Sequence, residues 1–229
     1  MIKYTPIPVE EHSKLLGENF AQQFAKEMFE YYRPFVKKER PIQVAKEAWE
    51  YAVADAIPDG VWIGAGKNIV DVQTPSLQLD VKGLSCNKWG GKTTEASVLQ
   101  NHQSEHDNTY MVFFENNQFD GLYDIYVQAL LNKISTAENL HVLCAIRDKK
   151  AKQAYYVLFR VDAVDITKEQ FVSQMYKQGG RKIIVPMIDP EIGSTYIYIP
   201  KRRLEIRLNT KNLKNYAVFS HSYSINEYV

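Results

Sequence analysis

Apolar residues in the N-terminal part, such as Leu15, Leu16, Phe20, Phe24 and Phe29, recur at helical spacing between Glu10 and Tyr32. The pattern predicts an amphipathic helix ended by Arg33-Pro34, and its apolar stripe makes it a candidate for dimerisation. A second helix is expected from Pro41, a residue suited to a first turn, through Val44, Ala45, Ala48, Trp49 and Ala52 to Ala56. The period then changes. Val61 to Gly64 reads as a short extra strand, Ile69, Val70 and Val72 as another, and Thr74-Pro-Ser76 as a turn. Leu77 and Leu79 then alternate with Gln78 and Asp80, the period of two that marks a strand. A hairpin over residues 68–83 results.

Residues from Leu84 to Asn108 form a polar, Gly-rich stretch too long for an idle connector. Tyr110 to Glu115 is read as a core strand, and Asp120 to Ile134 as a helix. His141 to Ile146 with Ala154 to Val161 is read as a hairpin around the polar run Arg147 to Gln153. Thr167-Lys-Glu-Gln170 has the form of a capping box opening a helix to about Lys177, closed by Gly179-Gly180. Strands follow near Ile183 to Met187, Thr195 to Ile199 and Leu204 to Leu208. This order predicts an α/β protein with a central mixed sheet flanked by helices and a strand-rich part at 181–214, expected as a single domain over 1–229.

A chain of 229 residues can bury a substantial core, and 45% hydrophobic with 12% aromatic content places it among globular proteins. No run reaches the roughly 18 to 20 apolar residues of a membrane span, and the polar start does not resemble a signal peptide, so a cytoplasmic location is expected. Cys86 and Cys144 stand far apart without a framework pattern and are expected as free thiols. A net charge of +1 argues against a generic polyanion binder. The distribution matters more than the sum, because Lys201 to Lys214 gathers six basic residues against Glu205. That run reads equally as a solvated strand face and as a phosphate contact through Arg202 and Arg203.

The hairpin carries the chemistry. Asp80 and Lys82 share one face of their strand, Val81 points to the other, and Asp71 lies on the preceding strand. Two carboxylates and an amine at one point suggest metal-assisted phosphodiester hydrolysis, with the Val81 carbonyl as a further ligand. Chance alone gives an acid-x-Lys about twice in this composition. The second copy, Asp148-Lys-Lys150, sits in the polar run and reads as a solvated turn. Strand periodicity on both sides, an upstream aspartate at hairpin distance and a preceding helix set the first copy apart.

Helix, strand with Asp, turn and strand with Asp-x-Lys together resemble the PD-(D/E)xK nuclease superfamily, and the small size is similar to its type II restriction endonucleases. The likeness rests on Asp80 and Lys82 and spans about Pro41 to Ser85. Its first acid is open: Asp71 feeds directly into the Asp80 strand, whereas Asp59 forms the literal Pro58-Asp59 pair. The resemblance implies a restriction-endonuclease-like core, Mg²⁺ as cofactor, and double-stranded DNA cut at a palindrome to leave 5′-phosphate ends. It also implies a twofold homodimer and a cognate DNA methyltransferase as functional partner. In some relatives a helix glutamate reaches the metal, a position Glu47 or Glu50 could take.

The polar stretch after the hairpin supplies candidate DNA contacts in Lys88, Lys92, Asn101, His102 and Gln103, since Asn and Gln pair with adenine and Lys with guanine or phosphate. His102 and His106, four apart, lack a suitable third and fourth ligand for zinc, and Gly64-Ala-Gly-Lys67 lacks the spacing of a phosphate loop. Two other readings stay open: a repair or junction-resolving nuclease on the same core, and a non-catalytic DNA-binding protein with a decorative Asp-x-Lys.

Overall fold

In the computed structural model, residues 2–36, 38, 46–64, 69–100 and 109–223 are described. In chain order they form β1 (Ile2–Pro6), α1 (Val9–Leu16), α2 (Phe20–Val36), α3 (Lys46–Ala56), β2 (Val61–Trp62), β3 (Val72–Gln73), β4 (Gln78–Cys86) and β5 (Ala96–Gln100). There follow α4 (Thr109–Glu115), α5 (Phe119–Leu122), a π-helical stretch (Tyr123–Gln128), α6 (Ala129–Ile134), β6 (Leu140–Asp148), β7 (Gln153–Ala163) and α7 (Lys168–Val172). The C-terminal part holds β8 (Tyr176–Gln178), β9 (Lys182–Val185), β10 (Gly193–Tyr198), β11 (Arg203–Leu208) and β12 (Ala217–Ser222). The protein is α/β, with a mixed sheet flanked by helices. No helix among the described residues is long and apolar enough to cross a membrane.

The chain divides into two compact units. The larger takes Pro6–Thr94, Ala137–Val161 and the segment from Asn209. Its sheet runs β7-β6-β4-β3-β2, with β12 also on β7; β4 and β6 are parallel and the other pairs antiparallel. Leu16, Phe20, Phe24, Met28 and Tyr32 follow at four-residue intervals along α1 and α2, and α3 adds Trp49, Ala52, Val53 and Ala56. All meet Leu79, Val81, Leu143, Ala145, Tyr156 and Leu158 of the sheet in one buried core. Phe20 stacks on Phe24 at 5.5 Å and meets Tyr156 edge-on at 4.9 Å.

The expected single helix over Glu10–Tyr32 is two. Gly17, at φ 92, breaks it, a conformation suited to glycine. The second helix runs through Pro34 to Val36, since a proline within the last turn removes only one late hydrogen bond. Its apolar face is spent on the unit's own core, so a dimer would use another surface. Of the second predicted helix, Lys46–Ala56 is observed, while Pro41, Val44 and Ala45 lie outside the described residues.

The smaller unit contains Met1–Thr5, Glu95–Thr136 and Asp162–Leu208. Its antiparallel sheet runs β5-β11-β10-β9-β8. Two expectations fail here. Tyr110 to Glu115 is helix α4 rather than a core strand: Tyr110 alone is buried and Val112 is exposed, and the five-residue apolar run Tyr110 to Phe114 carries no periodicity that separates the two. The helix opened by Thr167 stops at Val172, and Tyr176–Gln178 is a strand whose turn into β9 uses Gly179-Gly180. The capping box itself forms, with Thr167 Oγ1 accepting from the Gln170 N–H at 3.2 Å and Gln170 Oε1 accepting from the Thr167 N–H at 2.9 Å. The long polar stretch is also less loop-like than expected, since β4 extends to Cys86 and β5 begins at Ala96.

Candidate active site

A short turn sets the site hairpin. Thr74 Oγ1 accepts from the Leu77 N–H at 3.0 Å and the Ser76 N–H at 3.3 Å, holding the chain reversal between β3 and β4. The register Val72↔Leu79 follows. One residue earlier the Asp71 N–H donates to the Leu79 carbonyl at 2.8 Å. The Asp71 side chain then reaches along β4, where Oδ2 accepts from the Val81 N–H at 2.8 Å.

Period-two alternation sorts β4 cleanly. Leu79 and Val81 enter the core shared with α2 and α3, and Gly83 lies under Trp49 of α3. Asp80 and Lys82 point to the other face, where the Lys82 ammonium is paired with Asp80 Oδ1. Both are buried, at 2% and 9% exposure, and Asp71 is at 4%. Buried charges of this kind persist only when paired. Parallel pairing places Asp80 opposite Val142 and Lys82 opposite Cys144. Burial pushes the Cys144 thiol up to about 12, with the Asp80 charge raising it further and Lys82 opposing.

The structure therefore brings Asp71, just before β3, to the Val81 amide of β4, the strand that carries the Asp80–Lys82 pair. Asp59 falls elsewhere, exposed in the turn after α3 at φ 57. Glu47 is exposed on α3, whereas Glu50 is fully buried where α3 packs against the hairpin and accepts from Trp62 Nε1 at 3.1 Å. Lys88 and Lys92 are exposed beyond the end of β4. Asn101, His102 and Gln103, like His106 and Ala65-Gly-Lys67, lie outside the described residues. Arg202 adopts φ 51 and donates from Nε to the Tyr110 hydroxyl at 3.1 Å, so it is pinned to α4, while Arg203 stands on β11 opposite Tyr198.

The second acid-x-Lys provides an internal contrast. Asp148 closes the β6–β7 hairpin as predicted, but it is buried rather than solvated. Its Oδ1 accepts from the Lys150 and Ala151 N–H groups, each at 2.9 Å, and Oδ2 from the Trp89 N–H at 2.8 Å. Backbone amides fill that carboxylate, and Lys149 and Lys150 are exposed. Asp80 instead meets an amine. Cys144 and the Trp49–Gly83 contact were not anticipated from sequence; the alternating residues of β6 could have indicated the first.

Among the described residues, no group of three or more His, Cys, Asp or Glu side chains is placed to hold a metal ion. Two buried carboxylates and the Val81 carbonyl are nonetheless hard oxygen donors of the type Mg²⁺ takes, with its remaining positions given to water and substrate. In donor type these groups match that ion. No family model, no curated protein and no solved structure matches the chain.

Proposed function

We propose that this protein is a Mg²⁺-dependent endodeoxyribonuclease on a restriction-endonuclease-like core, acting as a type II restriction endonuclease on double-stranded DNA. The observation that carries the reading is the tether from Asp71 Oδ2 to the Val81 amide, which fixes one buried carboxylate beside the strand bearing the buried Asp80–Lys82 pair. In this reading Asp71, Asp80 and the Val81 carbonyl hold the ion. When bound, Mg²⁺ supplies Lewis acidity at the scissile phosphate and lowers the pKa of a bound water.

Lys82 is the residue that meets the reaction itself. Its ammonium, oriented by Asp80, stabilises charge developing on the phosphoryl oxygens or, once deprotonated, takes a proton from the attacking water. In-line attack leaves 5′-phosphate and 3′-hydroxyl ends. Paired cuts at a palindrome call for a twofold homodimer, with a cognate DNA methyltransferase protecting the same sequence in the cytoplasm. Lys88, Lys92, Arg202 and Arg203 are the described candidates for DNA contact from the sequence reading, with Arg202 held on the Tyr110 hydroxyl.

Incubation of purified protein with mixed-sequence DNA and Mg²⁺, followed by sequencing of the ends, tests the proposal against Asp80→Ala and Lys82→Ala. Discrete cuts at one repeated palindrome, lost in both variants, are expected. Scattered or structure-dependent cuts would move the reading to a repair or junction-resolving nuclease. Equal DNA binding by wild type and variants without cleavage by any would leave a binding protein.

A further inference from the structure

The five-stranded sheet of the smaller unit has two unlike faces. Ile183, Val185, Ile197, Leu204 and Ile206 are buried on one. Strand register puts Lys182, Tyr196, Tyr198, Arg203, Glu205 and Arg207 on the other, with Tyr196 opposite Glu205, Tyr198 opposite Arg203 and Ser194 opposite Arg207. Lys201 joins them from the turn after β10, where its ammonium lies 5.3 Å from the Tyr198 ring.

Among the described residues, cations outnumber carboxylates on this face. Glu95 is shared between Lys182 at 3.6 Å and Arg207 at 3.7 Å, and Glu205 is 3.8 Å from Lys201. Burial pushes the Glu95 carboxyl up, but its backbone hydrogen bond, Tyr196, Arg207 and Lys182 together outweigh that and hold it below its ordinary value. Arg203 makes no ion pair among the described residues, and its buried Nε has no hydrogen-bond partner there. Among the described residues, four cations against two carboxylates leave this face net positive.

We infer that this face of the sheet, through Lys182, Lys201, Arg203 and Arg207, docks the phosphate backbone of duplex DNA, an inference that rests on the nuclease reading. The rings decide between duplex and single strand. Tyr196 is buried, and Lys182 Nζ lies 5.4 Å and Lys201 Nζ 5.3 Å from the Tyr198 ring, so these two rings leave no open aromatic face on which unpaired bases would stack. The surface therefore offers positioned charge, which a duplex backbone meets by phosphate contact.

The test uses the full chain with a labelled mixed-sequence duplex in a chelator, which stops cleavage, and reads binding by anisotropy across a salt series. Lys182→Glu/Arg207→Glu is expected to weaken binding at least tenfold at ~0.1 M salt and to reduce the slope of log affinity against log salt by about two. Lys182→Gln/Arg207→Gln, which avoids crowding carboxylates, is expected to weaken it about fivefold while thermal unfolding stays unchanged. Lys14→Glu/Lys26→Glu, on the exposed side of α1 and α2, should bind within about twofold of wild type. Unchanged affinity in the two sheet variants overturns the inference and leaves the nuclease reading intact, as does tighter binding of a single strand than of the duplex. Weakened binding in those variants, with no Mg²⁺-dependent cleavage by wild type, leaves the surface standing and removes the nuclease.

Discussion

Asp71 on one arm of the hairpin accepts a hydrogen bond from the Val81 N–H on the other, at 2.8 Å. The same side chain thus closes the β3–β4 junction and presents a carboxylate to the proposed metal position. The two roles separate by substitution. Asp71→Asn keeps a side-chain carbonyl for the Val81 amide and removes the charge; Asp71→Ala leaves that buried amide unsatisfied, at a cost of about 1–3 kcal/mol. Both variants are expected to lose cleavage by at least ~10²-fold, and only the alanine variant to lose stability in urea denaturation. An asparagine variant that cuts like wild type would remove Asp71 from the chemistry.

Lys82 and Asp80 form a buried pair, and such a pair fails asymmetrically. Lys82→Met strands the Asp80 carboxylate in an apolar setting, an expected loss of about 3–5 kcal/mol. Asp80→Asn/Lys82→Met removes both charges and is expected to recover to within ~1 kcal/mol of wild type while remaining inactive. Denaturation and cleavage assays on the same preparations check this. A single variant as stable as wild type would mean that the pair is solvated and not held.

The hairpin was legible because its signals agree: alternation through Leu77, Leu79 and Val81, a Thr-Pro-Ser turn, and polar residues on one face. The β6–β7 hairpin and the Thr167 cap were legible for the same reason. Where the reading failed, a local pattern was decided elsewhere. Tyr110 to Phe114 is an unbroken apolar run, so only the packing of Tyr110 and Phe113 around α4 and α5 shows it to be a helix. The break at Gly17 interrupts no hydrophobic register, since Leu16 and Phe20 continue the stripe across it. Asp148 and Asp80 share a motif, and only their hydrogen bonds, to backbone amides in one case and to an amine in the other, tell them apart. Charge on the small sheet was visible as a run, but the left-handed turn at Arg202 sent that side chain to Tyr110, and strand alternation put Arg203 and Arg207 on the face shared with Tyr196 and Tyr198.

Gly83 allows α3 to sit directly on the site strand. A Cβ at this position would stand 2.9 Å from Trp49 Cδ1 and Nε1, closer than real contacts, and Trp49 is itself under the Arg147 guanidinium at 5.7 Å. Gly83→Ala is expected to cost about 1–3 kcal/mol by overpacking. Gly83→Ala/Trp49→Phe should recover part of that loss. Near-ultraviolet circular dichroism and thermal unfolding of the three proteins give the coupling directly.

Both thiols should be silent in the native protein. Cys86 and Cys144 are buried and free, and burial pushes their thiols up to about 11 and about 12, so the thiolate that reacts is scarce and shielded. A disulfide-exchange reagent at neutral pH is expected to label neither until denaturant is added, and both afterwards. Rapid native labelling of Cys144 would show that the Asp80–Lys82 face opens in solution.

His221 on β12 ties stability to pH. Its ring packs 5.4 Å from that of Tyr32 and 6.2 Å from that of Phe24, and burial pushes its imidazole down to about 4. Its unfolded value is ~6.5, so between those two values the unfolded chain binds the extra proton. The contribution is therefore fully present above pH ~6.5, falls as pH drops toward 4, and stops changing below that, where both states are protonated. The full span corresponds to about 3 kcal/mol. His12, also lowered by burial, acts in the same direction. Urea midpoints measured from pH 4 to 7.5 should rise with pH in wild type and rise less in His221→Phe, which keeps the ring contacts without the titration. Parallel curves for the two proteins would show that His221 is hydrated in solution and that the acid limb belongs to other groups.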